Sequence, residues 1–259
     1  MTNLIEFLSE YSPILHNCER PSRYIGGEFL SIKKDFNKAD IKVLLAFPDK
    51  YEIGISNFGH KILYHIINNK QNFLADRIYA PEPDFCELLN KYNKPLYSLD
   101  SKKSMTEFDF IGFALQYEMS YTTILKMLEM GKIPVFSSDR NESHPIIFAG
   151  GPCAYNPNPI SKFIDLFLIG DGEEVILEVI ELYDKIKNQG LKRDEILEKL
   201  SEIEGVYSPV FSPKRGKVKK RISNLKYQDH PTKSPIPHSQ SVHDRATVEI
   251  RRGCGRLCR

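Results

Sequence analysis

Between residues 41 and 186, short runs of apolar and β-branched residues alternate with stretches whose apolar residues recur every three or four positions. No other feature of the chain constrains its fold as strongly. Ile41–Phe47 (IKVLLAF) reads as a buried strand, and Asp76–Ala80, Phe108–Leu115 (FDFIGFAL), Ile146–Ala149 and Leu166–Ile169 read as four more. The intervals predict helices. One is begun by Ser56 or Asn57 and carries Ile62, Leu63, Ile66 and Ile67; a short one follows Asp84; two more cover Tyr121–Met130 and Val175–Ile186. Strands separated by helices lie parallel, joined by crossovers. Right-handed crossovers wind an open α/β sheet of about five strands, a doubly wound Rossmann-like fold. Ligands of such sheets sit beyond the carboxyl ends of the strands. The loops 48–56, 116–120, 150–159 and 170–174 therefore form the expected binding edge.

The flanks read differently. Residues 1–40 are a helix and a loop: Thr2-Asn3 caps a helix bearing Leu4, Ile5 and Leu8, Pro13 ends it, and Arg20–Glu28 (RPSRYIGGE) is an ordered loop. The sheet domain spans 41–187. Residues 188–245 hold a short helix (Leu191–Leu200), a strand (Val206–Phe211), a basic run (Lys214–Arg221) and a proline-rich connector (229–239). Residues 246–259 open with a fresh strand, Ala246–Arg251, feeding Arg252-Gly-Cys-Gly-Arg-Leu-Cys-Arg259, the beginning of a second domain.

Charge and cysteine usage narrow the function classes. Thirty-six Lys and Arg against thirty-four Asp and Glu argue against a protein built wholly around nucleic acid or an anionic membrane. No window of eighteen apolar residues exists, so no spanning helix is expected. The first residues lack a basic run before an apolar stretch, which makes the cytoplasm the expected compartment. Five cysteines are too few, and odd in number, for a disulfide framework. Cys18, Cys86 and Cys153 are dispersed, whereas Cys254 and Cys258 crowd one loop after a strand. Such a pair fits either iron–sulfur ligation or ordinary thiols or half a zinc site, although zinc knuckles favour other spacings and no His lies nearby.

Val248–Arg259 resembles the opening strand and cluster loop of radical S-adenosylmethionine (SAM) enzymes, whose signature is Cys-x3-Cys-x2-Cys. The third cysteine of that signature would fall two positions beyond Arg259. Arg20–Glu28, Phe47–Gly54 (FPDKYEIG), Leu115–Glu118 (LQYE), Gly150–Ala154 (GGPCA) and Gly170–Glu174 (GDGEE) resemble the members that carry an N-terminal cobalamin-binding-like domain. The resemblance implies a [4Fe–4S] cluster held by Cys254, Cys258 and a third cysteine, with SAM on the open iron and reductive cleavage to a 5′-deoxyadenosyl radical. It also implies that a chain of these 259 residues lacks most of the catalytic barrel and is an inactive fragment. The alternative is a non-catalytic module that binds a partner protein or RNA.

Within the sheet domain, the resemblance places cofactor contacts at Asp49, Tyr51, Gly54, Gln116, Glu118, Gly150, Gly151, Gly170 and Gly172. The family pattern Asp-x-His-x-x-Gly supplies a cobalt ligand, and here Tyr51 stands where that His would be. A phenol with a pKa near 10 is a poor ligand, so cobalamin would bind without one or the site is vestigial. Ala114 stands where the family has a serine, and His60 and His65, on the next helix, read as surface histidines. Gly150-Gly151 suits either close approach of a flat cofactor or a tight turn. Gly170–Glu174 suits helix capping better than phosphate, because three carboxylates repel an anion. Gln116, Tyr117, Glu118 and Tyr121 offer polar contacts at the binding edge or cap the next helix. Lys214–Arg221, six cations in eight residues, could meet RNA phosphates or form a solvated loop.

Overall fold

The computed structural model describes residues 2–214, 216–223, 230–239, 241–243, 245, 247–250 and 252–253. In chain order the elements are α1 (Thr2–Asn17), β1 (Ile41–Phe47), the single turn α2 (Tyr51–Gly54), α3 (Phe58–Asn68), β2 (Phe73–Tyr79), α4 (Pro83–Lys91), β3 (Phe110–Ala114), α5 (Tyr121–Met130), β4 (Ile146–Gly150), β5 (Leu166–Leu168), α6 (Gly172–Ile186), α7 (Arg193–Leu200) and β6 (Val206–Tyr207).

The strands form one sheet in the order β2-β1-β3-β4-β5-β6. The first five are parallel, and β6 runs antiparallel along β5. Every residue of β2 is buried, as expected of a strand covered on both faces. One face packs Leu44, Ile111, Ile147 and Phe167 against α1, α4 and α5. The other packs Val43, Leu45, Phe110 and Phe148 against α3, α6 and α7. The doubly wound α/β fold is therefore as the alternation of apolar runs implied.

Three local differences have physical causes. Helix α1 continues through Pro13 to Asn17. An interior proline costs about 3 kcal/mol, but Ile14 and Leu15 beyond it are buried, and each such burial contributes about 1.5–3 kcal/mol. Packing therefore carries the helix past the breaker. Its buried stripe is Phe7, Tyr11, Ile14 and Leu15, whereas Ile5 and Leu8 are 70% and 46% exposed. Strand β6 stops at Tyr207, short of the expected Phe211, because Pro209 cannot continue a ladder.

The third difference is the strand expected at Ala246–Arg251. Residues 247–250 form no ladder, and Val248 and Ile250 are 78% and 94% exposed. No partner strand reaches them among the described residues, and a strand without a partner has no hydrogen bonds to hold it. Helix α7 and β6, which the sequence places after the sheet domain, pack directly on it: Leu197, Leu200 and Val206 share the core of α3 and α6. No helix among the described residues is long and apolar enough to cross a membrane.

Candidate functional site

Because β1 feeds β2 on one side and β3 lies on the other, the chain reverses direction across the sheet between β1 and β3. A cleft opens at the carboxyl ends of the strands at this switch point, where doubly wound sheets bind ligands. Its volume is about 460 Å³, within the range of small-molecule sites. Leu45, Phe113, Phe148 and Leu168 supply apolar walls, and the first turns of α3 and α6 face each other across it. Thr247, Glu249 and Arg252 close one side.

Of the residues expected to contact a cofactor, Gln116, Gly150, Gly151, Gly170 and Gly172 line this cleft. Gly151 has φ +118°, and a Cβ there would lie 2.8 Å from the Leu115 carbonyl oxygen. The backbone turn itself thus demands glycine at 151, while Gly150 would meet only ordinary contacts at 3.7 Å.

Asp49, Tyr51, Gly54 and Glu118 do not line the cleft. The Asp49 carboxylate accepts a 2.7 Å bond from Tyr117 Oη, tying two strand-end loops together. Glu118 is exposed beside Cys153, whose thiol is raised by burial and then by that carboxylate. Tyr51 is buried, donates to Glu28 Oε1 at 3.0 Å and meets Tyr79 edge-on. Burial, then the Glu28 charge, holds its phenol far above the usual value. A Cβ at Gly54 would sit 2.3 Å from the Tyr79 ring. The Asp-x-Tyr-x-x-Gly segment is thus packed into the protein around Tyr79.

The Arg20–Glu28 loop is a strap over the same region. Arg23 pairs with Glu52 at 2.8 Å and with Glu82 at 3.5 Å, and Tyr24 stacks on Phe85 at 3.6 Å between ring centroids. Glu28 accepts from Arg77 Nη2 at 3.0 Å. Arg77 is 2% exposed, forks onto Asp100 through Nε and Nη2 at 3.1 and 2.7 Å, and stacks on Tyr64. This motif of the resemblance is accounted for by internal ion pairing.

His60, expected at the surface, is instead 6% exposed and borders the cleft. Burial and then the Arg77 charge lower its pKa from 6.5 to about 4, so it is neutral near pH 7. Its helical register shows the reason. His60 leads the stripe His60, Tyr64, Ile67, Asn68, all buried, which was readable from the i, i+4, i+7, i+8 spacing.

The Gly170–Glu174 turn opens α6 as expected, with Asp171 at the N-cap and Glu173 and Glu174 in the first turn, and it also holds a later segment of the chain. Gly170 has φ +107°, and a Cβ there would lie 2.1 Å from the Arg221 carbonyl oxygen. Arg221 N donates to Ile169 O at 2.8 Å, and Arg221 O accepts from Asp171 N at 3.1 Å. Ser223 N donates to Asp171 Oδ2 at 3.0 Å, and the Arg221 guanidinium pairs with Glu174 and Glu178. Glu173 receives Arg252. The turn clamps the later part of the chain at two points. Arg221, and Lys219 through Glu204, are consequently engaged in ion pairs within the chain.

Cys254 and Cys258 lie outside the described residues. Among those described, no three His, Cys, Asp or Glu side chains are grouped to hold a metal. Cys18 and Cys86 are buried and Cys153 half-buried.

Comparison with known proteins adds two findings. Residues 59–209 match the family described as radical SAM proteins, N-terminal. An uncharacterized protein of Methanocaldococcus jannaschii is 28% identical over 224 residues, covering 84% of this chain. The chain spans only 40% of that relative's length.

Proposed function

The chain belongs to the radical SAM N-terminal family, and from that premise we propose that it is the platform of an iron–sulfur enzyme that uses SAM. Cys254, Cys258 and a third thiolate would hold the [4Fe–4S] cluster, a donor set of the kind such clusters use. Cluster and SAM together supply a 5′-deoxyadenosyl radical for hydrogen abstraction. The chain's own residues do the rest: the sheet edge forms a cleft with apolar walls, and Asp171 and Glu173 hold Arg252, two positions before Cys254. The observation that carries this reading is the position of the residues before Cys254. Thr247, Glu249 and Arg252, which lie seven, five and two positions before Cys254, are themselves walls of the cleft.

Cobalamin is not routed through this site. The residue in the cobalt-ligand position, Tyr51, is buried, bonded to Glu28 and absent from the cleft. His60, the imidazole bordering the cleft, is held neutral by burial beneath it. A cofactor with a flat apolar face would have to rely on the Gly150–Gly151 edge and the apolar walls alone.

Iron and sulfide assay of the anaerobically purified full-length protein tests the proposal, together with 5′-deoxyadenosine measured after adding SAM and dithionite. The expected result is one cluster per chain, lost in Cys254→Ala and Cys258→Ala, with 5′-deoxyadenosine formed only when the cluster is present. A protein that takes up no cluster after reconstitution, or forms no 5′-deoxyadenosine with one, overturns it.

A further inference from the structure

Two buried acceptors on the cleft have no donor. His60 and Glu173, in the facing first turns of α3 and α6, both line it and are 6% and 7% exposed. Nε2 of His60 and Oε2 of Glu173 are buried without a hydrogen-bond partner among the described residues. A buried polar atom left unpaired costs about 1–3 kcal/mol, and more when it is charged. Both atoms are fixed as acceptors. The neutral His60 ring carries one N–H, and its bond to the Leu45 backbone, which favours the protonated ring, uses that proton. Arg252 Nη2 donates to Glu173 Oε1 and leaves Oε2 open. Charge along the cleft is mainly of one sign: Asp171, Glu173 and Glu249 line it against a single guanidinium, Arg252, among the described residues. Much of the remaining wall is apolar, formed by Leu45, Phe113, Phe148 and Leu168. An apolar pocket with a few convergent polar groups of one kind selects the complementary kind in its guest.

We propose that the cleft binds an organic cation, an aromatic amine or amidine, whose N–H groups donate to Glu173 Oε2 and His60 Nε2 while its ring packs on the apolar walls. Such a guest uses the carboxylate oxygen that Arg252 leaves open, so the tie between Arg252 and Glu173 persists. Water would also satisfy both atoms, but water does not discriminate between a cationic and an anionic ring of the same shape. The site stands independently of the cluster chemistry proposed above.

The test is isothermal titration calorimetry of the full-length protein, freed of iron, near pH 7. The probe is 4-aminobenzamidine, a planar ring with a cationic amidine at one end and an amine at the other. The control is 4-aminobenzoate, the same ring with a carboxylate in place of the amidine. One amidine site per chain is expected, with the benzoate weaker by about tenfold or more. Glu173→Gln should weaken the amidine about tenfold, as for loss of a hydrogen bond to a charged group, and His60→Leu about threefold. Arg252→Ala keeps Glu173 and removes a lining cation, so it should bind the amidine at least as tightly as wild type. The absence of a saturable amidine site, or equal affinity for the benzoate, overturns the proposal. That comparison needs only the wild-type protein, so it decides even if a variant fails to fold. A loss in Arg252→Ala equal to that in Glu173→Gln also overturns it, because the wall segment and not the carboxylate would then hold the guest.

Discussion

Two buried titrating groups, Asp76 in β2 and His60 beside the cleft, drive the pH dependence of stability in opposite directions, and separating them tests how this core is built. Asp76 is fully enclosed. Burial, then the charge of Asp100, raises its pKa from 3.8 to about 6. This occurs although its carboxylate accepts backbone N–H bonds from Arg77, Asp100 and Ser101 at 2.6, 2.8 and 2.8 Å. The folded protein thus keeps a proton on Asp76 that the unfolded chain releases above pH 3.8. The associated stability is complete below pH 3.8 and lost as pH rises through about 6. His60 behaves oppositely. Its pKa falls from 6.5 to about 4, so its contribution is complete above pH 6.5 and lost as pH falls through about 4. At 1.36 kcal/mol per pKa unit, each effect is on the order of 3 kcal/mol. Between pH 4 and 6 the two nearly cancel in the wild-type protein.

Single variants expose each half. Relative to wild type at the same pH, Asp76→Asn should become less stable by about 3 kcal/mol more at pH 4 than at pH 6.5. His60→Asn should close its gap to wild type by a similar amount over the same acidification. Urea unfolding followed by circular dichroism between pH 4 and 7 measures both, and referring each point to wild type removes the other titrating groups. Profiles of both variants that run parallel to wild type would refute the reasoning, because neither group would then be shifted by its burial.

Two further outcomes follow from named contacts. Glu28→Gln removes one of the two carboxylates on the buried Arg77 and leaves the bidentate Asp100 pair, so the loss should lie at the low end for a broken buried pair, about 3 kcal/mol; a melting temperature lower by about 6–12 °C would register it, and a drop under about 2 °C would contradict it. Gly170→Ala forces a Cβ to within 2.1 Å of the Arg221 carbonyl at a positive φ, which should release the connector; limited proteolysis after the lysines at 217–220 should accelerate severalfold while α6 stays protected, and an unchanged cleavage pattern counts against the clamp.

How much of this was legible in the sequence depends on the range of the interaction involved. The alternation of strands and helices is local chemistry: IKVLLAF has the length and β-branched content of a buried strand, and Asn57 caps α3 through its side chain, which accepts from His60 N at 2.9 Å. The binding edge followed from topology, and five of the nine expected contact residues line the cleft. What could not be read was partnership between distant residues. Glu28 with Arg77 spans 49 positions and Arg252 with Glu173 spans 79. Without those pairings, Arg20–Glu28, Asp49–Gly54 and Gly170–Glu174 look like loops reserved for a ligand. With them, the first two are internal struts and the third a clamp. Helix α1 was hidden for a more local reason: its buried stripe Phe7, Tyr11, Ile14 and Leu15 keeps helical spacing, but it becomes visible only once the helix is carried past Pro13.

The clamp also bears on what the cleft can accept. A helix N-terminus at the carboxyl edge of a parallel sheet is ordinarily where an anion binds, because its free N–H groups and dipole favour negative charge. Here the first turn of α6 fills that role from within: Asp171, Glu173 and Glu174 supply the negative charge, and Arg252 and Arg221 neutralise it. A phosphate arriving at this end of the cleft would meet three carboxylates and find both nearby guanidinium groups already engaged. The remaining surface, between Leu45, Phe113, Phe148 and Leu168, is apolar and bordered by Gly150 and Gly151. The edge is therefore divided, with the α6 end holding the chain's own later segment and the middle walled mainly by apolar side chains. A ligand that binds through a phosphate at Gly170–Gly172 would contradict this division, and one that competes with Arg252 for Glu173 would do so as well.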